Sequence, residues 1–365
     1  MYDYLIVGAG PYGSVCAHEL TKAGKSCLVI DKRSHIGGNC FTDNADGIHV
    51  HRYGAHIFHT NDDKVWNYVN QFAEFRQYCH NVIANYKGQM FTLPFNMWTF
   101  NQLWGVGTPD EARDVLLSQT KSGKITNLEE QAISMVGYDI YDKLIKGYTE
   151  KQWEKTCDKL PASIIKRLPV RFTWDSNYFD DKYTAMPVGG YTQIFENLLE
   201  GVEVRLNQDY FSERNYFDLL AHKVIFTGPI DRFFDYKFGK LEYRSLRWDT
   251  KKLELNNFQG TPVVNYTDNI TPYTRILEHK WFDFQNQKNT IISYEFPASY
   301  DGHNEAYYPI RDEENTKVFS KYEELSKTQE KFIFGGRLAS YVYYDMHQII
   351  AQALKKSQEL LYLSL

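Results

Sequence analysis

The sequence has few of the features that mark exported, disulfide-stapled or membrane-embedded proteins. Its 365 residues include five cysteines, an odd number scattered along the chain without a CxxC pair. Neither a disulfide framework nor a zinc cage is therefore indicated. No stretch approaches the ~18 uninterrupted apolar residues of a membrane span, and the N-terminus has neither the basic nor the apolar region of a signal peptide. These absences predict a protein of the reducing cytoplasm that has no membrane span.

An excess of one charge is lacking too. The chain has 41 Lys and Arg residues against 46 Asp and Glu residues, a formal charge of −5, and this balance argues against binding to nucleic acids. Hydrophobic residues make up 43% and charged residues 24%, which excludes a disordered or collagen-like chain. Aromatic residues are abundant at 16%, with 28 tyrosines. Such rings suit a sugar or nucleotide site, although a core would take most of them.

A dinucleotide-binding unit stands at the N-terminus. A β-rich apolar run at residues 4–7 is followed by Gly8-Ala9-Gly10-Pro11-Tyr12-Gly13, and a helical pattern covers residues 14–22. The first glycine of such a turn permits a tight bend, the second lets the backbone approach a pyrophosphate, and the third lets helix and strand pack closely. A second strand at residues 26–30 ends at Asp31, where a carboxylate would bind the adenosine ribose.

The segment after Asp31 indicates which dinucleotide binds. Lys32-Arg33-Ser34-His35-Ile36-Gly37-Gly38-Asn39 resembles the FAD-binding continuation of glutathione-reductase-type and amine-oxidase-type flavoproteins. The chain carries no second full fingerprint, because Gly105-Val106-Gly107 lacks a third glycine and a preceding strand and predicts a turn. FAD is therefore the expected cofactor, and NAD(P)H could act only as a transient reductant.

The rest of the chain predicts two further domains. Apolar residues at helical spacing predict helices between residues 99 and 160. Alternating aromatic and β-branched residues at 170–178 and 241–296 predict antiparallel strands. Strands at 223–228 and 332–337 end in glycine and return to the first domain, whose sheet a final helix at 346–361 covers.

The predicted fold class is α/β, a Rossmann-like FAD-binding domain with an inserted α-helical domain and an antiparallel β-sheet domain. The predicted domain limits are 1–77, 184–240 and 330–365 for the FAD-binding domain, 97–162 for the helical domain with a mobile lid, and 78–96, 163–183 and 241–329 for the sheet and substrate domain.

Hydrolase and metal chemistry find little support. The chain has no GxSxG motif, and its cysteines have no base nearby in sequence. His56 and His59 invite a metal, but an i, i+3 pair without a neighbouring Cys or carboxylate is typical of hydrogen-bonded core or cofactor contacts. We therefore expect no metal.

Three arginines stand in aromatic settings, namely Arg167, Arg275 and Arg337. A guanidinium binds diphosphate oxygens bidentately, and beside a flavin it can stabilise negative charge. The segment from Gly147 to Trp153 joins a helix to a polar turn with two large rings. It fits either a mobile lid or a pair of aromatic residues that anchor a helix end.

These motifs together resemble the bacterial UDP-galactopyranose mutase family over essentially the whole chain. The resemblance implies a cytoplasmic, homodimeric flavoprotein isomerase of cell-surface polysaccharide biosynthesis. It would interconvert UDP-galactopyranose and UDP-galactofuranose through a covalent adduct between N5 of reduced FAD and the anomeric carbon, without net redox change. The matching segments are Tyr4 to Gly13, Asp31 to Asn39, Tyr53 to Thr60, Leu93 to Asn96, Lys146 to Trp153, Ile164 to Phe172, Pro187 to Tyr191, Pro272 to Lys280, Tyr307 to Pro309 and Gly335 to Gln348.

The same resemblance implies roles for individual residues. Arg167, Arg275 and His56 correspond to catalytic positions. The implied cofactor neighbours are Gly8, Gly10, Tyr12, Gly13, Asp31, Lys32, Gly38, Asn39, His56, Ile57, Arg337, Tyr344, Asp345 and Met346. The implied substrate contacts are Asn81, Leu144, Tyr148, Thr149, Trp153, Arg167, Tyr178, Asn265, Arg275, Tyr308 and Tyr343.

Two positions depart from the family pattern. Glu154 follows Trp153 where glycine is expected, and Trp98 stands where a smaller polar residue is usual. Both leave the sugar preference open, including UDP-N-acetylgalactosamine. An amine-oxidase-like FAD oxidoreductase and a non-catalytic nucleotide-sugar-binding protein remain as alternatives.

Overall fold

The computed structural model describes residues 1–121, 123–165, 169–283 and 285–362. The strands in chain order are β1 (Tyr2–Val7), β2 (Cys27–Ile30), β3 (Thr42–Ala45), β4 (Ile48–His51), β5 (Phe58–Thr60), β6 (Phe75–Gln77), β7 (Val82–Tyr86), β8 (Gln89–Leu93), β9 (Tyr183–Pro187), β10 (Glu203–Arg205), β11 (Ala221–Phe226), β12 (Tyr243–Leu253), β13 (Val263–Tyr266), β14 (Arg275–Glu278), β15 (Thr290–Ser299), β16 (Tyr308–Pro309) and β17 (Phe332–Phe334).

The α-helices are interspersed among these strands, with a run of four in the middle of the chain. In chain order they are α1 (Pro11–Lys22), α2 (Asp63–Val69), α3 (Met97–Trp104), α4 (Pro109–Gln119), α5 (Leu128–Ile140), α6 (Gly147–Trp153), α7 (Thr192–Leu198), α8 (Arg214–Leu219), α9 (Ile230–Phe233), α10 (Glu313–Lys327), α11 (Gly336–Ala339) and α12 (Met346–Tyr362). Within the described residues, no helix combines the length and the apolar character that a membrane crossing needs.

The first domain is a parallel sheet covered by helices. Its strands run in the order β10-β2-β1-β11-β17, and each neighbouring pair is parallel. The central strands are apolar because helices shield both faces of a parallel sheet from water, and Leu5, Val29 and Ile225 are fully buried. Helix α1 packs against α12 and α7. The strands and helices predicted for this domain are confirmed.

The turn between β1 and α1 requires glycine at two positions. Gly8 has a φ of +112°, which residues with a Cβ rarely adopt, and its N–H donates to Ile30 O at 2.8 Å. A Cβ on Gly13 would lie 2.0 Å from Gly8 O, so only glycine lets α1 start this close to β1. Because no described side chain caps α1, its first N–H groups stay available to an anion.

The second domain is a seven-stranded sheet in the order β16-β12-β15-β14-β13-β7-β8. Its neighbours are antiparallel except β13 and β7, which run parallel. The register pairs Asn265 of β13 with Arg275 of β14, and Arg275 with Glu295 of β15. Directly paired residues share one face of a sheet, so these three side chains form a row across it.

Residues 170–178 do not form the predicted strand, and that prediction was wrong. Apart from a bridge between Phe95 and Val170, this stretch is a loop. Asp175 Oδ1 accepts a hydrogen bond from the N–H of Asn177 at 2.9 Å. Short polar side chains that bond the backbone in this way compete with the ladder of a strand. The alternation of aromatic residues was therefore a misleading signal here.

The inserted helices begin at polar caps. Asn96 and Thr108 form capping boxes at the starts of α3 and α4, and Asn127 caps α5, which satisfies N–H groups that would lack partners. Gly105 ends α3 in the left-handed conformation, so the turn predicted there is confirmed. A π-helical turn, Tyr141–Lys146, leads into α6, and such turns are frequent at functional sites. The predicted helices of this region are confirmed.

The predicted domain limits stay a prediction. Helix α10, which they assign to the sheet domain, packs against α9 and β17. Its Phe319 and Tyr322 share an apolar cluster with Ile230 and Tyr341. The helix therefore covers the far end of the parallel sheet as well as following the antiparallel one in sequence.

Gly147 provides a test of how α6 is seated. A Cβ at this position would lie 2.4 Å from Thr267 O and 2.9 Å from Asp268 C, and backbone atoms cannot move aside cheaply. We expect Gly147→Ala to lower the free energy of unfolding by about 1–3 kcal/mol, the usual cost of overpacking. Urea denaturation would measure the change. Gly123→Ala is the control, because a Cβ there meets nothing within 4 Å, and equal midpoints for the two variants would contradict this packing.

Candidate active site

A cavity of about 630 Å³ opens where the two sheets meet. One side is formed by the carboxyl ends of β1, β2 and β11, which contribute Val7, Ile30 and Phe226. The other side is formed by the antiparallel sheet, which contributes Asn265 and Arg275. The carboxyl ends of parallel strands are the usual ligand-binding edge of such a sheet.

The end of the cavity near the first turn is shaped for a dinucleotide. Gly10 and Gly38 face each other so closely that a Cβ on Gly38 would lie 3.0 Å from Gly10 Cα. Asp31 Oδ2 accepts from the N–H of Ala9 at 2.8 Å, and its Oδ1 accepts from the N–H of Arg33 at 2.9 Å. The glycine cradle and the uncapped helix start fit a pyrophosphate. These residues therefore fit FAD.

Arg33 and Glu305 also belong to this end, and sequence reasoning missed both. Arg33 Nη2 donates to Glu305 Oε2 at 2.7 Å and to Asn39 Oδ1 at 2.9 Å, and its guanidinium lies 4.5 Å from the ring centre of Tyr53. Burial alone would raise the pKa of Glu305, but Arg33 and Lys32 hold that pKa below its ordinary value. Arg33 stands inside the recognised glycine segment, whereas nothing in the sequence points to Glu305.

His56 lies between the two ends of the cavity as a neutral side chain. Its Nδ1 is 2.7 Å from Gly54 O, so Nδ1 carries the proton and Nε2 is left as an acceptor. Burial lowers the pKa of His56 to about 4, helped by Arg337 and Arg275 and opposed by the bond to Gly54. The histidine is therefore neutral at neutral pH and can accept a hydrogen bond at Nε2.

The start of α12 forms another part of the wall. Asp345 and Met346 line the cavity where this helix begins. Arg337 Nη2 donates to Tyr344 O at 2.7 Å, and its guanidinium lies 4.6 Å from the ring centre of Tyr343. The partial positive charge of the helix start and the arginine both favour an anionic group nearby.

Arg275 dominates the opposite end. Its Nε and Nη2 lie 2.7 and 2.6 Å from Glu295 Oε2, and Thr274 Oγ1 donates to Glu295 Oε1 at 2.8 Å. Burial alone would lower the pKa of Arg275, but the Glu295 carboxylate outweighs it and raises the pKa. The guanidinium is thus permanently charged and oriented by a carboxylate that is 1% exposed.

Tyrosines surround this arginine. Tyr148, Tyr178, Tyr308 and Tyr343 all line the cavity with Arg275, and the rings of Tyr308 and Tyr343 lie 5.3 Å apart between centres. Burial raises the pKa values of Tyr148 and Tyr308, so their hydroxyls stay protonated and can donate hydrogen bonds.

Two buried polar atoms in the same wall lack partners. His80 Nδ1 and Asn265 Oδ1 have no hydrogen bond within the described part of the chain, and both residues line the cavity. Buried polar groups are nearly always satisfied in folded proteins. Their partners are therefore expected to come from a bound ligand or from water.

The structure brings most of the predicted site residues together. Every predicted cofactor neighbour lines the cavity, as do the predicted substrate contacts Tyr148, Tyr178, Asn265, Arg275, Tyr308 and Tyr343. Their binding roles stay predictions. Arg167, predicted as catalytic, lies outside the described residues.

Four predicted substrate contacts do not reach the cavity. Asn81 is exposed, whereas its neighbour His80 faces the ligand space because successive side chains of extended backbone alternate in direction. Leu144 packs in the core on the π-helical turn, and Trp153 packs at the edge of that core. Thr149 is buried, and on α6 it is Tyr148 that faces the cavity.

His59 has neighbours that the sequence did not reveal. Its Nδ1 lies 2.8 Å from Asp181 Oδ2, and Asp345 and His347 offer ligand atoms within 4.8 Å of it. The absence of a nearby carboxylate was therefore a wrong reason to dismiss a metal, because Asp181 and Asp345 arrive from distant segments. The absence of a metal stays a prediction.

A Rossmann-like domain that shares its cavity with an antiparallel sheet defines a dinucleotide-binding protein of flavoenzyme architecture. The family model for an NAD(P)-binding Rossmann-like domain matches residues 6–72, and the model for UDP-galactopyranose mutase matches residues 143–343. The chain belongs to the UDP-galactopyranose mutase family and is an isomerase.

Individual relatives agree over the whole chain. A probable UDP-galactopyranose mutase of Klebsiella pneumoniae is 40% identical over 368 residues, 98% of this chain and 94% of the relative. A dTDP-fucopyranose mutase of Escherichia coli is 39% identical over 372 residues, 98% of each chain. A crystal structure of reduced UDP-galactopyranose mutase covers 100% of this chain and 94% of its own, with a TM-score of 0.76 at 15% identity, which bears on the fold. The predicted fold class and enzyme class are confirmed.

His80 should make folding stability depend on pH. Burial, helped by the charge of Arg275 and by His59, lowers the pKa of His80 to about 3. The unfolded chain, with a histidine pKa near 6.5, therefore binds the proton more readily, and stability is lost as pH falls from about 6.5 towards 3. The loss is at most about 1.4 kcal/mol per pH unit. We expect the free energy of unfolding of His80→Asn to vary less with pH than that of the wild type, because the contribution of His80 is removed.

Urea denaturation at pH 7.0 and 4.5 would measure the free energy of unfolding of His80→Asn and of the wild type. The difference between the two proteins isolates the contribution of His80 from that of other titrating groups. His303→Asn is the control, since His303 lies on an exposed turn. If His80→Asn kept the slope of the wild type, His80 would not be held neutral in the folded protein.

Proposed function

We propose that this isomerase interconverts UDP-galactopyranose and UDP-galactofuranose without net redox change. The observation that carries the proposal is the continuity of the cavity. One space joins the glycine cradle, which fits FAD, to Arg275 and its tyrosines, which fit a nucleoside diphosphate sugar. A reaction in which the flavin meets the sugar directly needs such continuity.

The residues that would hold FAD are those of the first turn, of the Asp31 to Asn39 segment and of the α12 start. Bound in its reduced form, FAD would supply an electron-rich N5 as the nucleophile for the anomeric carbon. The helix start of α12 and Arg337 favour negative charge beside them. They would stabilise an anionic reduced cofactor in preference to a neutral one.

Arg275 would bind the diphosphate and neutralise the charge that UDP gains as it leaves. Its Nε and Nη2 are committed to Glu295, so Nη1 would point to a phosphate oxygen. The protonated hydroxyls of Tyr148 and Tyr308 would donate to the same group. Charge-assisted bonds of this kind are stronger when, as here, the donors are partly shielded from water.

The remaining polar atoms would orient the sugar. Asn265 Oδ1 and His80 Nδ1 would accept hydrogen bonds from sugar or base donors, which would satisfy two atoms that have no partner among the residues the structure describes. His56 Nε2 would accept a hydrogen bond from a cofactor or sugar donor, because its low pKa keeps the imidazole neutral. With these roles, the proposal assigns residues to the cofactor, to the diphosphate and to the sugar.

The nucleotide and the sugar remain two separate choices. Relatives of nearly equal identity are described as acting on UDP-galactopyranose and on dTDP-fucopyranose. These sugars differ at C6 and their nucleotides differ in base and ribose. We place UDP-galactose first, with dTDP-fucose and UDP-N-acetylgalactosamine as further candidates. We also propose a cytoplasmic homodimer that NAD(P)H reduces transiently, and the free state of all five cysteines supports the reducing compartment.

The activity can be tested on the photoreduced holoenzyme. We expect UDP-galactofuranose to convert to UDP-galactopyranose, resolved by chromatography, with no consumption of reductant per turnover. The oxidised protein should be inactive, since an oxidised flavin lacks the nucleophilic lone pair. UDP-N-acetylgalactosamine and dTDP-fucose serve as parallel substrates. Absence of interconversion with all three would contradict the proposal.

The two alternatives leave their own signatures in this experiment. Substrate-dependent release of peroxide in air would instead favour an amine-oxidase-like oxidoreductase. Tight UDP binding without turnover would favour a nucleotide-sugar-binding protein.

Arg275 provides a separate test of the diphosphate site. Arg275→Lys should weaken UDP binding roughly 10- to 100-fold, because lysine is a single point charge that cannot serve Glu295 and a phosphate together. Isothermal titration with UDP would measure the change. Arg247→Lys is the matched control, since Arg247 is exposed and its guanidinium lies over Phe296. Unchanged UDP affinity in Arg275→Lys would place the diphosphate elsewhere.

A further inference from the structure

The helix that carries Tyr148 ends in an unusual way. Helix α6 stops at Trp153, and the next residue, Glu154, has φ +53° and ψ +30°. Glycine is the usual residue in this left-handed position, because a Cβ there is strained. A strained residue persists where its surroundings hold it in place, and such residues cluster at functional sites. The contacts of the Glu154 side chain provide that hold.

Glu154, Arg244 and Ser299 form a bonded group that we call the clasp. Glu154 Oε2 lies 2.8 Å from Arg244 Nη1 and accepts from Ser299 Oγ at 2.9 Å. Arg244 Nε donates to Gln152 O at 3.1 Å. The arginine therefore contacts both the backbone of α6 and the carboxylate of Glu154, the residue that follows the helix. The Arg244 side chain is only 6% exposed, against 49% for Glu154. A buried guanidinium therefore has Glu154 as its anionic partner.

The clasp connects the helix to the cavity wall. Arg244 lies on β12, directly paired with Tyr308 of β16 and with Ser299 of β15. Tyr308 lines the same cavity as Tyr148 of α6. The clasp thus fixes the end of α6 against the strand pair that presents Tyr308, without any of its three residues lining the cavity.

The rest of α6 is fastened by contacts of a different kind. Gly147 sits against the backbone of Thr267, and Lys151 Nζ donates to Tyr266 O at 2.7 Å and to Tyr273 O at 3.0 Å. These contacts hold the start and middle of the helix. The clasp is the fastening at its end, where the segment that leads to residue 165 departs.

We propose that Glu154 is a positioning residue, which through Arg244 holds the end of α6 against the cavity wall and so sets the affinity for the nucleotide sugar. The part of this inference that concerns turnover rests on the proposed function. The hydrogen bond from Arg244 lowers the pKa of Glu154, which keeps the pair charged at neutral pH.

Trypsin cleavage of the native holoenzyme tests the fastening directly. Lys155 and Lys159 are exposed just beyond the clasp, and cleavage there reports on opening of the segment. Glu154→Gln keeps the size of the side chain and removes its charge, whereas Glu154→Gly also removes the backbone strain. We expect both variants to be cut at these two lysines roughly five- to tenfold faster than the wild type when opening precedes cleavage. Glu254→Gln, an exposed carboxylate beside β12, is the matched control.

UDP titration and steady-state kinetics test the consequence. We expect the Kd for UDP and the KM to rise by a similar factor, roughly three- to tenfold, while kcat stays within about twofold, because the residue acts on binding and not on the reacting atoms. In a protein that already carries Arg244→Met, Glu154→Gln should cause no further change in UDP affinity. The effects of two residues in direct contact are not additive.

Three outcomes would overturn the proposal. One is unchanged cleavage at Lys155 and Lys159 in Glu154→Gln. Another is faster cleavage along the whole chain together with a lower Tm, which indicates general destabilisation. The third is a loss of kcat with unchanged UDP affinity. If the wild type turned over no sugar at all, the proposed function would fail, but cleavage without ligand and UDP titration would still decide the role of Glu154.

Discussion

A positive charge held by one buried carboxylate organises the substrate end of the cavity. Arg275 lies on β14, in the middle of an antiparallel sheet, where an unpaired guanidinium would be costly, and Glu295 on the neighbouring strand provides the compensating charge. A buried ion pair is weak evidence of net stability, since well-packed apolar residues of similar volume often stabilise a fold as well. The consequence of the pair is that the Arg275 guanidinium has a fixed orientation. The strand register fixes both partners, so the charge faces the cavity in a defined direction.

The two ends of the cavity are built from different kinds of constraint. The dinucleotide end comes from a continuous stretch in which glycines at fixed spacing let β1, α1 and the Gly38 segment meet. The substrate end comes from three consecutive strands, β13, β14 and β15, where Asn265, Arg275 and Glu295 form one row through strand pairing. In the proposed function, the backbone geometry of the glycine turn would determine cofactor recognition, and the pairing register of the antiparallel strands would determine substrate recognition.

This difference explains how much the sequence could predict. The glycine turn, the returning strands and the inserted helices follow from local patterns, and all are confirmed. The directions in which individual side chains point were harder to predict. Asn81 was expected at the site, but a shift of one residue on extended backbone exchanges it for His80. Glu305 and Asp181 reach their partners across long separations, which no local pattern records. The loop at residues 170–178 was mistaken for a strand because its aromatic residues alternate while its polar residues bond the backbone.

Several residues at the cavity take their positions from a charged partner on another segment of the chain. Arg275 depends on Glu295, Arg33 on Glu305, and the end of α6 on Arg244 and Glu154. The partners are 20 residues apart for Arg275 and Glu295, 90 for Arg244 and Glu154, and 272 for Arg33 and Glu305. The clasp differs from the other two, because its carboxylate is half exposed and stands where the chain would otherwise use glycine. A substitution there changes the placement of the helix without altering any group that meets the ligand. Relatives with the same cavity chemistry can therefore differ in affinity through residues behind the wall, and a comparison of lining residues alone would not reveal it.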